Sequence, residues 1–379
     1  MIRERLRGRL EGWLLRVWFR SASPAERVIA ALVAPLALPL SWLVAAVARR
    51  RRERIVRQAP GAGVPVVVVG NLVAGGSGKT PLVCAIVRGL AEAGFSPGIL
   101  AGGYRAGAGA DPGPGATDAV TLVDAASDAA SVGDEALLLA IETGMPLAVG
   151  KNRAAAAAAL CRRHPDRDVL VSDDGLQHVG LARFIELVAI DERGFGNGRC
   201  LPAGPLREPV DRLESVDALV MTSSPPLAPA GEALRRGTAK EGSPARTPLQ
   251  ARQFRSSLRM TGFVTLDGAL RWRPEQFAAD HASEPLDAIA GIARPARFFA
   301  SLHALGLRPD CHPLPDHAAI DPRWLQTLPG RWILMTAKDA VKCRRFDGGL
   351  LARCVRVDVA ATPEPALLEW LAARLRAGR

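Results

Sequence analysis

The chain has 379 residues, of which 48% are hydrophobic and 23% charged, and a formal net charge of +11. That balance belongs to a globular protein of about two domains and excludes a disordered or low-complexity chain. Six cysteines (Cys84, Cys161, Cys200, Cys311, Cys343, Cys354) stand without C-x-x-C spacing. This argues against a zinc site or a disulfide framework and makes a reducing cytoplasm the default.

The positive charge is concentrated in one place. Residues 1–57 hold thirteen arginines and no lysine against four glutamates, a balance of +9, so the other 322 residues carry only about +2. Basicity confined to the most apolar part of the chain points to an anionic membrane surface and away from nucleic acid. Ile2, Leu6, Leu10, Trp13, Leu14, Val17 and Trp18 share one helical face and arginines occupy the rest, the pattern of an interfacial helix. Ser23-Pro24-Ala25-Glu26 reads as a capping box with proline at the first helical position. Residues 28–48 carry no charge and are closed by Arg49-Arg50-Arg51-Arg52. At about 1.5 Å per residue this is just long enough to span a bilayer, although Pro35 and Pro39 count against a simple span. Four readings compete: a span, a kinked interfacial helix, a helical hairpin packed on its own core, and a cleaved signal peptide ending Ala46-Val47-Ala48. A nucleotide site immediately downstream weighs against the last.

After a linker over residues 58–64, residues 65–69 (Pro-Val-Val-Val-Val) predict a buried parallel strand. Gly70-Asn71-Leu72-Val73-Ala74 then leads into Gly75-Gly76-Ser77-Gly78-Lys79-Thr80-Pro81. A helix follows, with Leu82, Val83, Ile86, Val87 and Leu90 at helical spacing and Gly94 as its stop. Strand, glycine loop and helix in that order form a phosphate site: backbone N–H groups close on phosphate oxygens at a helix N-terminus. Lys79 reaches the β/γ-phosphates and the Thr80 hydroxyl holds Mg²⁺. Val73 stands where the first glycine of such loops usually falls, and the bland alternative is a glycine-rich turn that binds nothing.

Further strands are predicted near residues 96–101, 120–123, 146–149, 168–172, 185–190 and 218–221, with helices between them, so a parallel sheet covered on both faces is expected. The strand over 168–172 ends in Asp173-Asp174, at the place where phosphate-loop enzymes keep a Mg²⁺-holding aspartate. Residues 222–248, rich in proline, serine, glycine and alanine, mark a boundary. Residues 252–273 read as a two-stranded piece: Phe263-Val264-Thr265-Leu266, the turn Asp267-Gly268 and Ala269-Leu270-Arg271-Trp272. A second, smaller α/β unit follows, with strands near 287–292, 332–336 and 355–359, a helix from Pro295 and a last helix over 365–377. The expected division is 1–57 membrane-associated helices, 58–225 phosphate-loop unit, 226–274 loop and two-stranded linker, and 275–379 C-terminal unit.

Phosphoryl transfer needs a phosphate cradle, Mg²⁺ and a proton acceptor for the attacking hydroxyl. Lys79 and Thr80 supply the first; Asp173, Asp174 and Glu208 are candidates for the metal. Asp134, opening a helix in Gly133-Asp134-Glu135, is the candidate base, set against the plain alternative of an N-terminal cap. His317 in Pro315-Asp316-His317 and His178 after Asp173-Asp174-Gly175-Leu176-Gln177 are weaker candidates on sequence alone.

These residues resemble one family, the tetraacyldisaccharide 4′-kinases of lipid A assembly. The shared pieces are Val69-Gly70-Asn71-Leu72 through the glycine loop to Pro81, Gly133-Asp134-Glu135, and Ser172 through His178. The block from Arg193-Gly194-Phe195-Gly196-Asn197-Gly198-Arg199 to Leu206-Arg207-Glu208, Pro315-Asp316-His317, and Thr336-Ala337-Lys338-Asp339-Ala340 complete the set. The family shares the shifted glycines. The resemblance implies a Mg-ATP-dependent enzyme on the cytoplasmic face of the bacterial inner membrane. Its substrate would be an acylated glucosamine disaccharide 1-phosphate, phosphorylated at the 4′-hydroxyl. By the same resemblance Asp134 is the base, paired with His317 from the second unit, and Asn71, Tyr104, Glu135, Gln177, His178 and Arg207 face the substrate. The resemblance also implies domain closure around ATP and lipid. Three positions depart from the family pattern: Gly102 replaces an arginine, Asn152 an aspartate and Ala337 a glutamate. The missing arginine leaves a dead binder of the disaccharide as one alternative, and a membrane-tethered nucleotide switch that controls a partner protein is the other.

Overall fold

A computed structural model describes residues 10, 12–19, 21–56, 58–76, 78–102, 120–224 and 251–378. Its strands are β1 (Val66–Gly70), β2 (Pro97–Ala101), β3 (Val120–Val123), β4 (Leu147–Gly150), β5 (Val169–Asp173), β6 (Ile185–Asp191) and β7 (Ala218–Ser223) in the first half. The second half contributes β8 (Arg252–Thr265), β9 (Arg271–Trp272), β10 (Leu286–Ala290), β11 (Asp310–Pro313), β12 (Trp332–Thr336) and β13 (Cys354–Pro363). They form one sheet in the order β11-β10-β12-β13-β8-β7-β6-β1-β5-β2-β4-β3, with β9 pairing β8 off that path.

The first half is parallel except at β3, which runs antiparallel to β4 at the edge. Its central strands read as unbroken apolar runs because both faces are covered; all five residues of β1 are buried. On one face lie the helices α2 (Lys79–Glu92) and α3 (Asp134–Thr143), after the long N-terminal helix α1 (Pro24–Val56). Leu82, Ile86 and Leu90 of α2 and Leu137 and Leu139 of α3 are buried in the same core as β1 and β5. On the other face α4 (Arg153–Arg163) supplies Ala156, Ala157 and Leu160.

The 14-residue β8 carries the sheet from one half to the other. Its first part pairs in parallel with β7 and its second part runs antiparallel to β13, so Ser256 and Ser257 have neighbours on both sides. The turn at Asp267-Gly268 forms as expected, with Phe263 opposite Trp272, although β9 is only two residues long. The last helix, α6 (Pro365–Ala377), follows α5 (Ala337–Cys343). Leu367, Leu371 and Leu375 of α6 return to the core of the first half, and Trp370 meets Phe254 at 5.4 Å. The chain end thus clamps the phosphate-loop helix from outside.

α1 begins at the expected capping box: Ser23 N–H donates to Glu26 Oε2 at 2.8 Å and Glu26 N–H to Ser23 Oγ at 3.3 Å. Pro35 and Pro39 lie inside one continuous helix of 33 residues, which is long and apolar enough to cross a membrane.

Candidate active site

The site is built at the carboxyl ends of β1, β5, β10 and β12, where open α/β sheets place ligands. β1 ends at Gly70, and the turn that follows is clasped from the side by the Gly194–Glu208 stretch. Ala74 N–H donates to Pro205 O at 2.8 Å and Arg207 N–H to Leu72 O at 2.7 Å. Gly75 and Gly78 both take positive φ (97° and 73°), so the loop needs glycine at each. Ser77 lies outside the described residues. Lys79 is the first residue of α2, with Thr80 in the same turn.

A polar network starts at Lys79. Its Nζ donates to Asn71 Oδ1 and to Asp174 Oδ1, both at 2.8 Å. Arg207 Nη1 donates to Asp174 Oδ2 at 2.9 Å and to Gln177 Oε1 at 3.3 Å; Gln177 Nε2 donates to Glu208 Oε1 at 2.8 Å. Burial presses the Asp174 carboxyl upward, but the charges of Lys79 and Arg207 outweigh it and hold the group well below the ordinary carboxylate range. Glu208 also faces the Arg212 guanidinium at 3.5 Å. Asp173, one residue before, differs: burial and the Glu135 charge push it up to about 7. Its Oδ1 is buried without a hydrogen-bond partner.

Across this space stands a second cluster. Asp134 opens α3 and is buried; His317 sits on the loop after β11. His317 Nδ1 lies 3.0 Å from Asp134 Oδ1 and 3.1 Å from Oδ2. Burial works against ionisation of Asp134, yet the His317 hydrogen bond and the Lys338, His317 and Lys342 charges lower its pKa. The bond to Asp134 raises that of His317. The two described non-glycine residues with positive φ are Asp174 (47°) and His317 (60°), one in each cluster. Left-handed backbone at such residues costs about 1–3 kcal/mol each and collects at functional sites.

Lys338, Asp339 and Lys342 on α5, not singled out from the sequence as site residues, complete the cluster. Lys338 Nζ lies 2.9 Å from Glu135 Oε1, 3.1 Å from Asp316 Oδ1 and 3.4 Å from His317 Nε2. Lys342 Nζ donates to Ala318 O at 3.1 Å and Asp339 Oδ1 at 2.9 Å, and stands 3.7 Å from Asp134 Oδ2. Asp339, fully buried, accepts from Gly291 N–H and Thr336 Oγ1. The signal available in the sequence was the pair of lysines four apart, on one helical face.

Asn71, Lys79, Asp174, Gln177, Arg207 and Glu208 therefore meet in one network, and Asp134, Glu135 and His317 in the other. Asp173, sensitive to both Lys79 and Glu135, lies between them. His178 is exposed on the turn behind, and Tyr104 lies outside the described residues. Among the described residues no cluster of three or more His, Cys, Asp or Glu forms a ready metal cage. The partnerless buried oxygen of Asp173 is nevertheless the kind of donor a Mg²⁺ ion accepts, so the residues fit the ion.

Two of the departures find local explanations. Asn152 Oδ1 accepts from Ala154 and Ala155 N–H, the N-cap role an aspartate would also fill. At Gly102 a Cβ would lie 3.2 Å from Nη2 of Arg153. That buried guanidinium donates to Asp173 O at 3.1 Å. Nothing in the structure accounts for Ala337.

A family model described as "Tetraacyldisaccharide-1-P 4'-kinase" matches residues 33–376. The chain belongs to this family. A tetraacyldisaccharide 4′-kinase of Bordetella petrii is 42% identical over 361 residues, 92% of each chain. One from Dechloromonas aromatica is 40% identical over 97% of this chain and 98% of its own. A crystal structure of LpxK from Aquifex aeolicus in complex with ATP superposes with a TM-score of 0.68 at 21% identity, covering 92% of this chain and 99% of that one. The fold is therefore shared across 92% of the chain. Family membership makes the chain a kinase, a phosphotransferase acting on a hydroxyl group. The nucleotide-switch alternative has no support. The apolar α1 points to membrane association.

Proposed function

We propose that the chain transfers the γ-phosphoryl group of ATP to the 4′-hydroxyl of an acylated glucosamine disaccharide 1-phosphate, with Asp134 as the proton acceptor. The observation that carries this is the Asp134–His317 pair, brought together from the two halves of the sheet beside the Lys79 loop. A carboxylate kept ionised by three cations, buried at a helix start, is placed to take a proton from an alcohol. The sugar oxygen then bonds to the γ-phosphorus, the bond from that phosphorus to the β–γ bridging oxygen breaks, and ADP leaves. Asp134 holds the proton.

In this reading Lys79 leaves Asp174 and Asn71 for the β/γ-phosphate oxygens, and Gly75, Gly76, Ser77 and Gly78 turn backbone N–H groups to the phosphates. Thr80 and Asp173, with Asp174 and Glu208 after rearrangement, would hold Mg²⁺, which neutralises charge on the phosphates when bound. Arg207, Gln177, His178, Asn71, Tyr104 and Glu135 orient the disaccharide. Residues 58–225 act as the nucleotide unit and residues 275–379 bring His317 across, and closure of one on the other encloses ATP and lipid beside the pair. The arm over residues 1–57 keeps the enzyme at the cytoplasmic face of the inner membrane, where an acylated, anionic substrate is dissolved.

The test is direct: purified protein, ATP, Mg²⁺ and detergent-dispersed tetraacyldisaccharide 1-phosphate, reading phosphorylated lipid. Lipid product that disappears in Asp134→Ala is expected. Full transfer by that variant would remove Asp134 from the mechanism, and ATP hydrolysis without lipid product would remove the disaccharide.

A further inference from the structure

We propose that Glu186, a carboxylate buried on β6, is a positioning residue: it gives Arg212 a standing counterion and so lets Glu208 leave that arginine for Mg²⁺. This inference rests on the Mg²⁺ role proposed above for Glu208 and adds the arrangement that frees it.

Glu186 stands opposite Val68 of β1 and is buried. Its backbone N–H donates to Asp217 Oδ2 at 2.9 Å. Its Oε1 accepts from Arg183 Nη1 at 2.7 Å and from Arg212 Nη2 at 2.5 Å. Burial presses the Glu186 carboxyl upward, yet the bonds and charges of Arg212 and Arg183 hold it below the ordinary carboxylate range.

Each arginine then reaches one side of Glu208. Arg183 donates from Nη1 to Leu176 O at 3.2 Å and from Nη2 to His178 O at 2.8 Å. It thus holds the turn whose Gln177 donates to Glu208 Oε1 at 2.8 Å. Arg212 faces the other oxygen, with Nε 3.5 Å from Glu208 Oε2. The chain of contacts closes into a ring, from Glu186 through Arg183, the 176–178 turn, Glu208 and Arg212 back to the same Glu186 oxygen.

The ring is unequal at Arg212, and the inequality carries the inference. A buried guanidinium left without a counterion is strongly unfavourable, so Arg212 as a lone partner would resist the departure of Glu208. Glu186 removes that resistance. Arg212 is committed to Glu186 through Nη2 and to Ser215 Oγ through Nη1 at 2.7 Å. Its Nε, the atom that faces Glu208, makes no hydrogen bond. Glu208 can therefore turn away while Arg212 keeps its counterion and its place, and the Arg183 arm keeps Gln177 where Glu208 left it.

The test is calorimetry of a non-hydrolysable ATP analogue binding to the purified full chain in detergent, in excess Mg²⁺ and in EDTA. The factor by which Mg²⁺ tightens binding is read. Glu186→Gln keeps the shape and removes the charge, so Arg212 closes on Glu208. The factor is expected to fall by about tenfold or more, the scale on which groups that orient a metal ligand act. Arg212→Gln added to Glu186→Gln takes the competing cation away, and the factor is expected to return most of the way to the wild-type value. A merely structural role predicts no such recovery, because a second change in a damaged core adds to the damage. A double variant no better than the single one, or a wild-type factor in Glu186→Gln, would overturn the proposal. Glu208→Gln separates this from the reading beneath it. A fall there with none in Glu186→Gln removes Glu186 alone, whereas a wild-type factor in Glu208→Gln removes the metal role of Glu208 and this proposal with it. If Glu186→Gln does not fold, Glu186→Asp, which keeps the charge and shortens the reach, is compared with its own Arg212→Gln double. A smaller fall and the same recovery are then expected, and no recovery would overturn the proposal equally.

Discussion

His317 and Asp134 are 183 residues apart in the chain, yet the imidazole Nδ1 stands 3.0 Å from the carboxylate Oδ1. Each residue comes from a different half of the sheet, so the pair exists only when the two halves are correctly joined through β8 and β13. Asp134→Asn keeps the shape and removes the basicity. Its kcat for lipid phosphorylation is expected to fall by roughly 10²–10⁴-fold with little change in KM for ATP. His317→Gln keeps a hydrogen-bond donor without a charge, and a smaller fall is expected. Equal rates for wild type and Asp134→Asn would show that the proton leaves by another route.

The pair also makes stability depend on pH in a defined window. The His317 pKa is raised above its ordinary 6.5, so its contribution is complete below 6.5 and fades as pH rises through the raised value. The Asp134 pKa is lowered from 3.8, so its contribution is complete above 3.8 and fades as pH falls through the lowered value. The stability lost in His317→Gln is therefore largest between about pH 4 and 6.5 and shrinks at alkaline pH. Denaturant melts of both proteins at pH 5.5 and pH 9 measure it. A difference that does not shrink would mean that the ion pair contributes nothing to stability.

How far the sequence reached can be seen at particular residues. The β-branched run before Gly70, the glycine loop and the apolar stripe of α2 are local patterns, and each formed where its period placed it. The position of Asp134 at a helix start was local too. Its pairing with His317 was not, because no periodicity links residues 183 apart; that expectation came from family resemblance. Lys338, noted only within the shared Thr336–Ala340 block, and Lys342 receive no site role from the sequence for a related reason. On an isolated helix they read as solvated charges, and only packing of α5 against α3 puts them beside Glu135 and Asp134. The reach of β8 was missed because its pattern alternates weakly: it passes from parallel pairing with β7 to antiparallel pairing with β13, and its neighbours change along its length.

Lys342 touches Ala318 O and Asp339 and lies 3.7 Å from Asp134 Oδ2, so it both fixes the His317 loop and supplies charge to the base. Lys342→Met preserves the stem and removes the ammonium. A loss of about 1–3 kcal/mol in stability is expected, because buried Asp339 loses a charged partner. The acid limb of the pH–rate profile moves to higher pH, since Asp134 then ionises less readily. A purely structural role would leave that limb where it is.

Gly70 ends β1 where its backbone passes close to that of Leu176. A Cβ there would lie 2.5 Å from Leu176 Cβ and 3.1 Å from Leu176 N, and the latter is backbone that cannot rotate away. Gly70→Ala is expected to cost about 1–3 kcal/mol in stability and to displace Gln177 and Asp174 with the chain that carries Leu176. Thermal melts and ATP affinity measure the two effects. An unchanged melting temperature would mean that the β1–Leu176 contact is looser than these distances indicate.

Asp173 carries a cost that the nucleotide-free protein cannot relieve. Its pKa rises from 3.8 to about 7, so between those values the folded state keeps a proton that the unfolded state has lost, and stability falls as pH rises. Above about pH 7 the full penalty is present, because a buried carboxylate whose Oδ1 has no hydrogen-bond partner is then charged. Asp173→Asn removes the titration while keeping the shape. Without nucleotide, the variant is expected to gain about 1–3 kcal/mol over wild type at pH 8, and the gain shrinks progressively towards pH 4. Lipid phosphorylation falls at every pH, because the oxygen that suits Mg²⁺ is gone. A variant that is less stable than wild type at pH 8 would show that this carboxylate is satisfied in solution, and the argument for its openness to a metal would fall with it.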